Sequence, residues 1–225
     1  GIRGLVGYWK FDEGTGTSAG DSSGNNNTGT LTNSPTWTTG KVGGALQFNG
    51  TNNYVDLGTG SLNVTNRITI SAWFKVNIFE TQSSESDSLV ERDYSTGCGN
   101  PNWGWLWKLA VGNQNSKDSY FVLYNGTTVG VAGSSASAIA LNQWYHAVGV
   151  YDGSNMYFYL NGVQSAPTAF TGNITTSNGT KTTIGTGRLN SVCLDEWFNG
   201  QIDDVRIYNR ALSATEVSAL YNATR

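Results

Sequence analysis

The sequence predicts an all-β fold, two antiparallel sheets packed as a sandwich with one short helix at the C-terminal end. Three observations predict it. Gly, Asn, Thr and Ser make up about 45% of the 225 residues, and all four are neutral to poor helix formers. Apolar and polar residues alternate with a period of two in many short runs. A helix start signal followed by helical spacing occurs convincingly at one place, after Ser213. No linker, charge run or repeat divides the chain, so residues 1–225 read as a single domain. A domain of that size buries roughly 70% of its unfolded surface and folds without a metal or disulfide staple.

Leu5–Phe11, Ala45–Phe48 and Tyr54–Leu57 open the series of strands. From Arg67 to Val76 the alternation is unbroken, with Ile68, Ile70, Ala72, Phe74 and Val76 on one face and Thr69, Ser71, Trp73 and Lys75 on the other. Leu89–Arg92, Leu106–Val111, Tyr120–Tyr124 and Trp144–Tyr151 follow. Met156–Leu160 leads into Asn161-Gly162 and Val163, a tight hairpin, because Asn-Gly tolerates the positive φ values of a type I′ turn. Ile202–Tyr208 is the last strand. Ser213-Ala-Thr-Glu216 is a capping box, and Val217, Leu220 and Tyr221 continue it at helical spacing. Many short strands between Gly, Asn and Ser turns suggest a jelly-roll sandwich. Glu80–Trp107 breaks the rhythm; irregular segments beyond about 12–15 residues are usually functional or disordered.

Composition excludes several functions. Thirteen basic and sixteen acidic residues leave a net charge of −3, with no Lys/Arg cluster for nucleic acid or an anionic membrane surface. No apolar run approaches the length of a membrane span. The chain opens on Gly-Ile-Arg without a signal peptide and reads as a mature or excised domain. His146 is the lone histidine, which leaves little for a Ser-His or Cys-His nucleophile system or a zinc site; in an alternating strand it reads as a hydrogen-bonded structural residue. Glycosidases need two carboxylates about 5–9.5 Å apart. Asp195-Glu196 and Asp203-Asp204 are adjacent pairs whose side chains point to opposite faces of a strand. A pair assembled from distant positions has no support in the sequence, so no enzyme is expected.

Cys98 and Cys193 lie in loop-like surroundings, each beside a tryptophan-rich segment. They read either as two unrelated thiols or, given an even count and a secreted-type composition, as a disulfide. On the chain-entropy account, closing a loop near 100 residues stabilises by about 4–5 kcal/mol.

Several segments resemble, in order, the laminin-G-like, concanavalin A-like jelly-roll domains of secreted proteins. Leu5-Val-Gly-Tyr-Trp-Lys-Phe-Asp12 is similar to the opening strand, Asp21-Ser-Ser-Gly-Asn-Asn-Asn-Thr-Gly29 to the Asp/Asn loop, and Ala45-Leu-Gln-Phe-Asn-Gly50 to the second strand. Trp144-Tyr-His-Ala-Val148 resembles a later core strand, and Asn199–Ser213 the closing strand with its capped helix. The resemblance implies a structural Ca²⁺ with Asp21 and Asp203 as carboxylate ligands and Asn26 and Asn49 as amide or backbone ligands. Asp12, Glu13 and Asp204 are secondary candidates. Calcium takes six to eight oxygens, and the alternative for this loop is an Asx turn capping its own backbone. The family often has Asp where Asn49 stands.

Fold does not fix function. Members resembling this chain act as carbohydrate-binding modules, adhesion domains or appendages of larger secreted proteins. Trp9, Trp73 and Trp144 sit in regular strands and read as core. Trp103 and Trp105 lie among Gly, Asn and Pro, with Trp197 near the second cysteine. Indoles stack on a pyranose, and Arg92, Asp93, Arg188, Asp195 and Glu196 are the candidates to bond its hydroxyls. The expectation is a non-catalytic carbohydrate-binding module of a secreted protein. The alternative is a protein-binding or adhesion domain, because Trp, Tyr and Arg also dominate protein interfaces. Sequons at Asn26 and Asn49 coincide with the expected calcium ligands, which favours a bacterial or archaeal host.

Overall fold

A computed structural model describes residues 1–60, 62, 64–81, 86–93, 105–175, 179–187 and 196–225, excluding the Trp105 side chain. The strands are β1 (Leu5–Trp9), β2 (Ser18–Ala19), β3 (Gly29–Thr32), β4 (Thr36–Thr39), β5 (Gly44–Asn49) and β6 (Tyr54–Asp56). Then come β7 (Ile68–Val76), β8 (Asp87–Asp93), β9 (Trp105–Val111), β10 (Ser119–Tyr124), β11 (Val129–Gly133) and β12 (Trp144–Tyr151). The chain ends with β13 (Asn155–Leu160), β14 (Val163–Gln164), β15 (Thr168–Ala169), β16 (Thr182–Ile184), β17 (Asn199–Tyr208) and the helix α1 (Ala214–Thr224).

Two antiparallel sheets form a jelly-roll sandwich. Sheet A has the order β14-β13-β12-β7-β17-β5-β4, with β1 also on β17 and β15 also on β13; sheet B has the order β11-β10-β9-β8-β16-β6-β3-β2. The alternation of β7 works as expected. Ile68, Ile70, Ala72, Phe74 and Val76 enter the main core, with Trp9, Phe48, Trp107, Phe121 and Phe158. Of the outward residues of β7, Trp73 is covered by α1 and Thr69 by the segment that leads into it. Trp73 is 2% exposed and stacks on Tyr221 at 5.8 Å, and Thr69 Oγ1 donates to the Arg210 carbonyl at 2.8 Å. The capping box forms as read: Glu216 N donates to Ser213 Oγ and Ser213 N to Glu216 Oε1.

β17 changes partner halfway. Asn199–Ile202 pair with β5, whereas Val205–Tyr208 pair with β1, and the switch is a bulge at Asp203–Arg206 with Asp204 at φ 50°. The exposed edge of β1 is sealed by the Asp/Asn loop. Ser22 N donates to Tyr8 O, Asn25 Nδ2 to Leu5 O, and Asn27 Nδ2 and Ser23 Oγ to Val6 O. Covering a free edge in this way blocks unwanted strand pairing.

Two readings need correction. His146 is buried and stacked against Trp73 and Tyr221, but its ring nitrogens have no hydrogen-bond partner. Burial, with the charge of Arg206, pushes its pKa down to about 3 and keeps it neutral. Trp144 is half-buried, not core, and lies under Lys75 with the ammonium 5.3 Å from the ring.

Candidate functional site

Cross-strand register places one row of residues across the outer face of sheet B. Val122 faces Lys108, Lys108 faces Glu91, Glu91 faces Thr183, and Thr183 faces Asp56. Directly opposed residues in an antiparallel sheet share a face. Val122 and Tyr124 form a small cluster of their own, separate from the main core. The ion pair between Lys181 Nζ and Asp56 Oδ2, at 2.5 Å, lies at the row's far end.

At the centre of the row is a buried polar chain. A register shift between Ser88 and Val90 places Ser88 beside Glu91. Ser88 Oγ lies 2.5 Å from Glu91 Oε2 and 2.7 Å from Glu196 Oε2, and Lys108 Nζ is 2.8 Å from Glu196 Oε1 and 3.1 Å from Ser86 Oγ. A serine hydroxyl carries one hydrogen, so it donates to one carboxyl and the other must carry a proton. Burial first, then the charge of Glu196, holds Glu91 well above the usual carboxylate range against the opposing Lys108. Lys108 stays above the ordinary lysine range because Glu196 and Glu91 outweigh its burial. The arrangement that satisfies these contacts runs from protonated Glu91 to Ser88, from Ser88 to ionised Glu196, and from Lys108 to Glu196. Glu91 Oε1 has no partner, which costs a neutral carbonyl oxygen less than a carboxylate. Gly187 sits over both Oε2 atoms, where a Cβ would collide with each.

The structure thus brings together two carboxyls that are 105 positions apart in the chain, a pair the sequence did not reveal. Glu91 and Glu196 are 0% and 5% exposed, with Ser88 between their oxygens. A retaining glycosidase pair must leave room for the sugar at a separation of about 5–5.5 Å; here the serine occupies that space.

Trp197 is half-buried beside Glu196 and pairs with half-buried Tyr54, ring centroids 6.0 Å apart and tilted 48°. Tyr54 and Asp56 flank core Val55 on β6 and therefore face outward. Arg92 faces elsewhere. It is 1% exposed, pairs in register with Trp107, and its guanidinium donates to Thr182 Oγ1 at 2.9 Å and the Thr59 carbonyl at 3.3 Å. Burial lowers its pKa although Asp93 beside it acts the other way. Its role is internal, which corrects its assignment as a ligand contact. Asp93 is 0% exposed. Trp103, the Trp105 side chain, Arg188, Asp195 and the Cys98–Cys193 pair lie outside the described residues. The roots of both segments lie along β8. Residues 94–104 leave from Asp93, whereas Gly187 and Glu196, which flank residues 188–195, contact Glu91 and Ser88.

The four expected calcium ligands do not close around a point. Asp21 Oδ1 accepts from Tyr8 N and Ser23 N, and Oδ2 from Ser23 Oγ and Asn27 N, all at 2.9 Å. Asn49 Oδ1 accepts from the N–H groups of Thr51, Asn52 and Asn53. Asn26 takes a positive φ of 59° in the turn. N–H dipoles aimed at an oxygen favour an anion and oppose a cation. Asn49 faces Asn199, four residues along β17 from Asp203 and so roughly 13 Å away at about 3.3 Å per residue. Asp203 is buried; Oδ2 accepts from Val42 N at 2.8 Å and Oδ1 has no partner. Burial, aided by Asp204 and Asp12, raises its pKa to about 7. Asp12 and Glu13 accept backbone N–H groups from Gly44 and Gly20, and Asp204 accepts from Tyr8 Oη. Among the described residues no three Asp, Glu, His or Cys side chains form a metal-binding cluster. The set fits backbone capping, and no calcium chemistry is derived from it.

Sequence reasoning missed Lys108, Ser88, Glu91, Tyr54 and Lys181. Lys108 had a signal: it shares its phase of the Leu106–Val111 strand with Leu106 and Ala110, and a strand lysine among apolar neighbours needs a counter-charge.

The concanavalin A-like lectin/glucanases family matches residues 49–218. No curated protein sequence matches the chain. Among solved structures, the fold is similar to the binding domain of Paraclostridial Mosquitocidal Protein 1, at 18% identity and a TM-score of 0.74, over 98% of this chain and 52% of that one. Domain 4 of AbnA, a GH43 extracellular arabinanase from Geobacillus stearothermophilus in complex with arabinotriose, is similar at 22% identity and a TM-score of 0.65, over 96% and 98%. The Botulinum neurotoxin serotype G binding domain follows at 17% identity and a TM-score of 0.72, over 97% and 51%. The chain spans about half the length of the two toxin domains. The two-sheet order, the closing strand with its capped helix and the match over residues 49–218 agree, and the chain belongs to the concanavalin A-like lectin/glucanases superfamily.

Proposed function

We propose that this chain is a non-catalytic carbohydrate-binding domain, an appendage of a larger secreted protein. An oligo- or polysaccharide would lie across the outer face of sheet B. The observation that carries this reading is the half-buried Trp197–Tyr54 pair next to the outward polar row. Ligand sites pair aromatic walls with a few placed polar groups, and the partly exposed Asp56 and Lys181 stand where sugar hydroxyls would need partners. The segments carrying Trp103, Trp105, Arg188 and Asp195 are rooted along β8 of the same sheet. The binding of arabinotriose by domain 4 of the arabinanase and the extracellular setting of that enzyme support the same reading. The Ser88 bridge between Glu91 and Glu196 supports the absence of catalysis.

A glycan array that includes arabino-oligosaccharides tests the proposal. Binding to at least one glycan class, weakened several-fold by Trp197→Ala with the fold intact, is the expected result. Indifference to every glycan would leave protein recognition as the better reading, and release of reducing sugar would overturn the non-catalytic assignment.

A further inference from the structure

On the opposite sheet, where α1 leaves part of the outer face of sheet A uncovered, there is a groove of about 830 Å³. Sites for small ligands typically occupy roughly 300–1,000 Å³. Its floor is aromatic. Tyr157 and Tyr159 alternate outward along β13, and each ring is fixed by its hydroxyl, Tyr157 to Asp152 Oδ2 at 3.1 Å and Tyr159 to Gln164 Oε1 at 3.0 Å.

The charges lining this groove divide into spent and unspent. Glu216 is taken by Arg210, at 2.9 and 2.5 Å, and by Ser213 N. Asp152 accepts from Ser154 N, Asn155 N and Tyr157 Oη. Arg67 spends only its Nε, on the Asp152 carbonyl at 2.9 Å. Among the described residues no acceptor meets its terminal nitrogens, and none meets the Arg3 side chain, which also lines the groove. Both are exposed. Arg67 feels the Asp152 carboxylate only through space. Two guanidinium groups whose terminal nitrogens make no ion pair among the described residues stand with fixed tyrosine rings in the groove lining and make a site for a ring-shaped anion.

We infer that this groove is a second binding site, for an acidic oligosaccharide whose carboxylate or sulfate is held by Arg67 and Arg3 while a sugar ring rests on Tyr157. Guanidinium groups bind planar oxyanions in bidentate geometry. A peptide suits the site less well. The edges of β13 are already paired with β12 on one side and with β14 and β15 on the other, so no strand can be added to it. The side-chain amides of Asn66, Asn209 and Gln164 line the groove instead, as hydroxyl partners. The groove shares no residue with the outer face of sheet B, so each site can fail independently.

Calorimetric titration of the full chain with a uronate oligomer, a sulfated oligosaccharide and a neutral oligomer of equal length tests the site. The acidic ligand should bind, more weakly at high salt; the carboxylate and sulfate arms identify which anion is preferred. Arg67→Gln should weaken binding at least several-fold, and the Arg67→Gln, Arg3→Gln pair should abolish it, with an unchanged melting temperature and no effect from Trp197→Ala. Failure of both acidic ligands to bind, equal binding by the neutral oligomer or by polyglutamate, or full binding by the double variant would each overturn the assignment.

Discussion

The indole N–H of Trp73 donates to Thr224 Oγ1 at 2.9 Å, joining the outward face of the central strand of sheet A to the last turn of α1. Both residues are buried. Thr224→Val keeps the shape but leaves the indole donor unpaired, which costs about 1–3 kcal/mol. Chemical denaturation should show that loss, and Thr224→Ser should recover most of it. A neutral Thr224→Val would mean that the helix end adds nothing to the sheet.

Glu91 and Ser88 set an opposite pH limit from the usual carboxylate. The folded pKa of Glu91 is raised, so both states are protonated at low pH, and its contribution is fully present there. As pH rises past about 4.5, the unfolded chain ionises first, and stability falls until the folded pKa is passed. Glu91→Gln keeps a donor for Ser88 and cannot ionise. Urea denaturation at pH 5, 7 and 9 should show the variant gaining on the wild type as pH increases, and parallel curves would place the proton elsewhere.

His146 limits the acid side. Its folded pKa lies near 3, below the unfolded 6.5, so its contribution is intact above about pH 6.5 and is lost as pH falls toward 3. The steepest slope available from one such group is about 1.4 kcal/mol per pH unit. His146→Phe retains a ring between Trp73 and Tyr221 and removes two buried nitrogens. Thermal melts between pH 4 and 7 should become flatter in the variant; an unchanged acid slope would show that other groups govern it.

Asp21 gathers four donors onto one carboxylate. Asp21→Ala should cost about 2–3 kcal/mol, since several N–H groups lose a charged acceptor. The loss should be the same with added calcium or with a chelator. A wild-type midpoint that rises with calcium, and a variant that no longer responds, would instead restore the cation that the resemblance implies.

The legible parts of the fold were those where one face is apolar. β7 and β12 show it plainly, and the Ser213–Glu216 box announced the helix before any packing was considered. β3, β4 and β16 did not show: Gly29-Thr-Leu-Thr32, Thr36-Trp-Thr-Thr39 and Thr182-Thr-Ile184 are mostly threonine, and they are strands because a neighbour pairs with them. At the site, Trp197 and Glu196 were readable as an aromatic beside an acid. Their partners were not, because Glu91 reaches Glu196 only through the order β8-β16 and the shift at Ser88. Arg92 misled because an arginine on a strand says nothing about which face it takes.

The change of partner along β17 has a kinetic consequence. Residues 199–208 fill the place between β7 on one side and β5 and β1 on the other. During synthesis β1 and β5 emerge first, yet neither finds this neighbour until residues 199–208 have left the ribosome. Until then β7 offers a bare apolar edge. Loop closures over such distances precede any reward in contacts, so the domain folds late and slowly. Its nascent chain is most vulnerable to aggregation just before the last strand arrives.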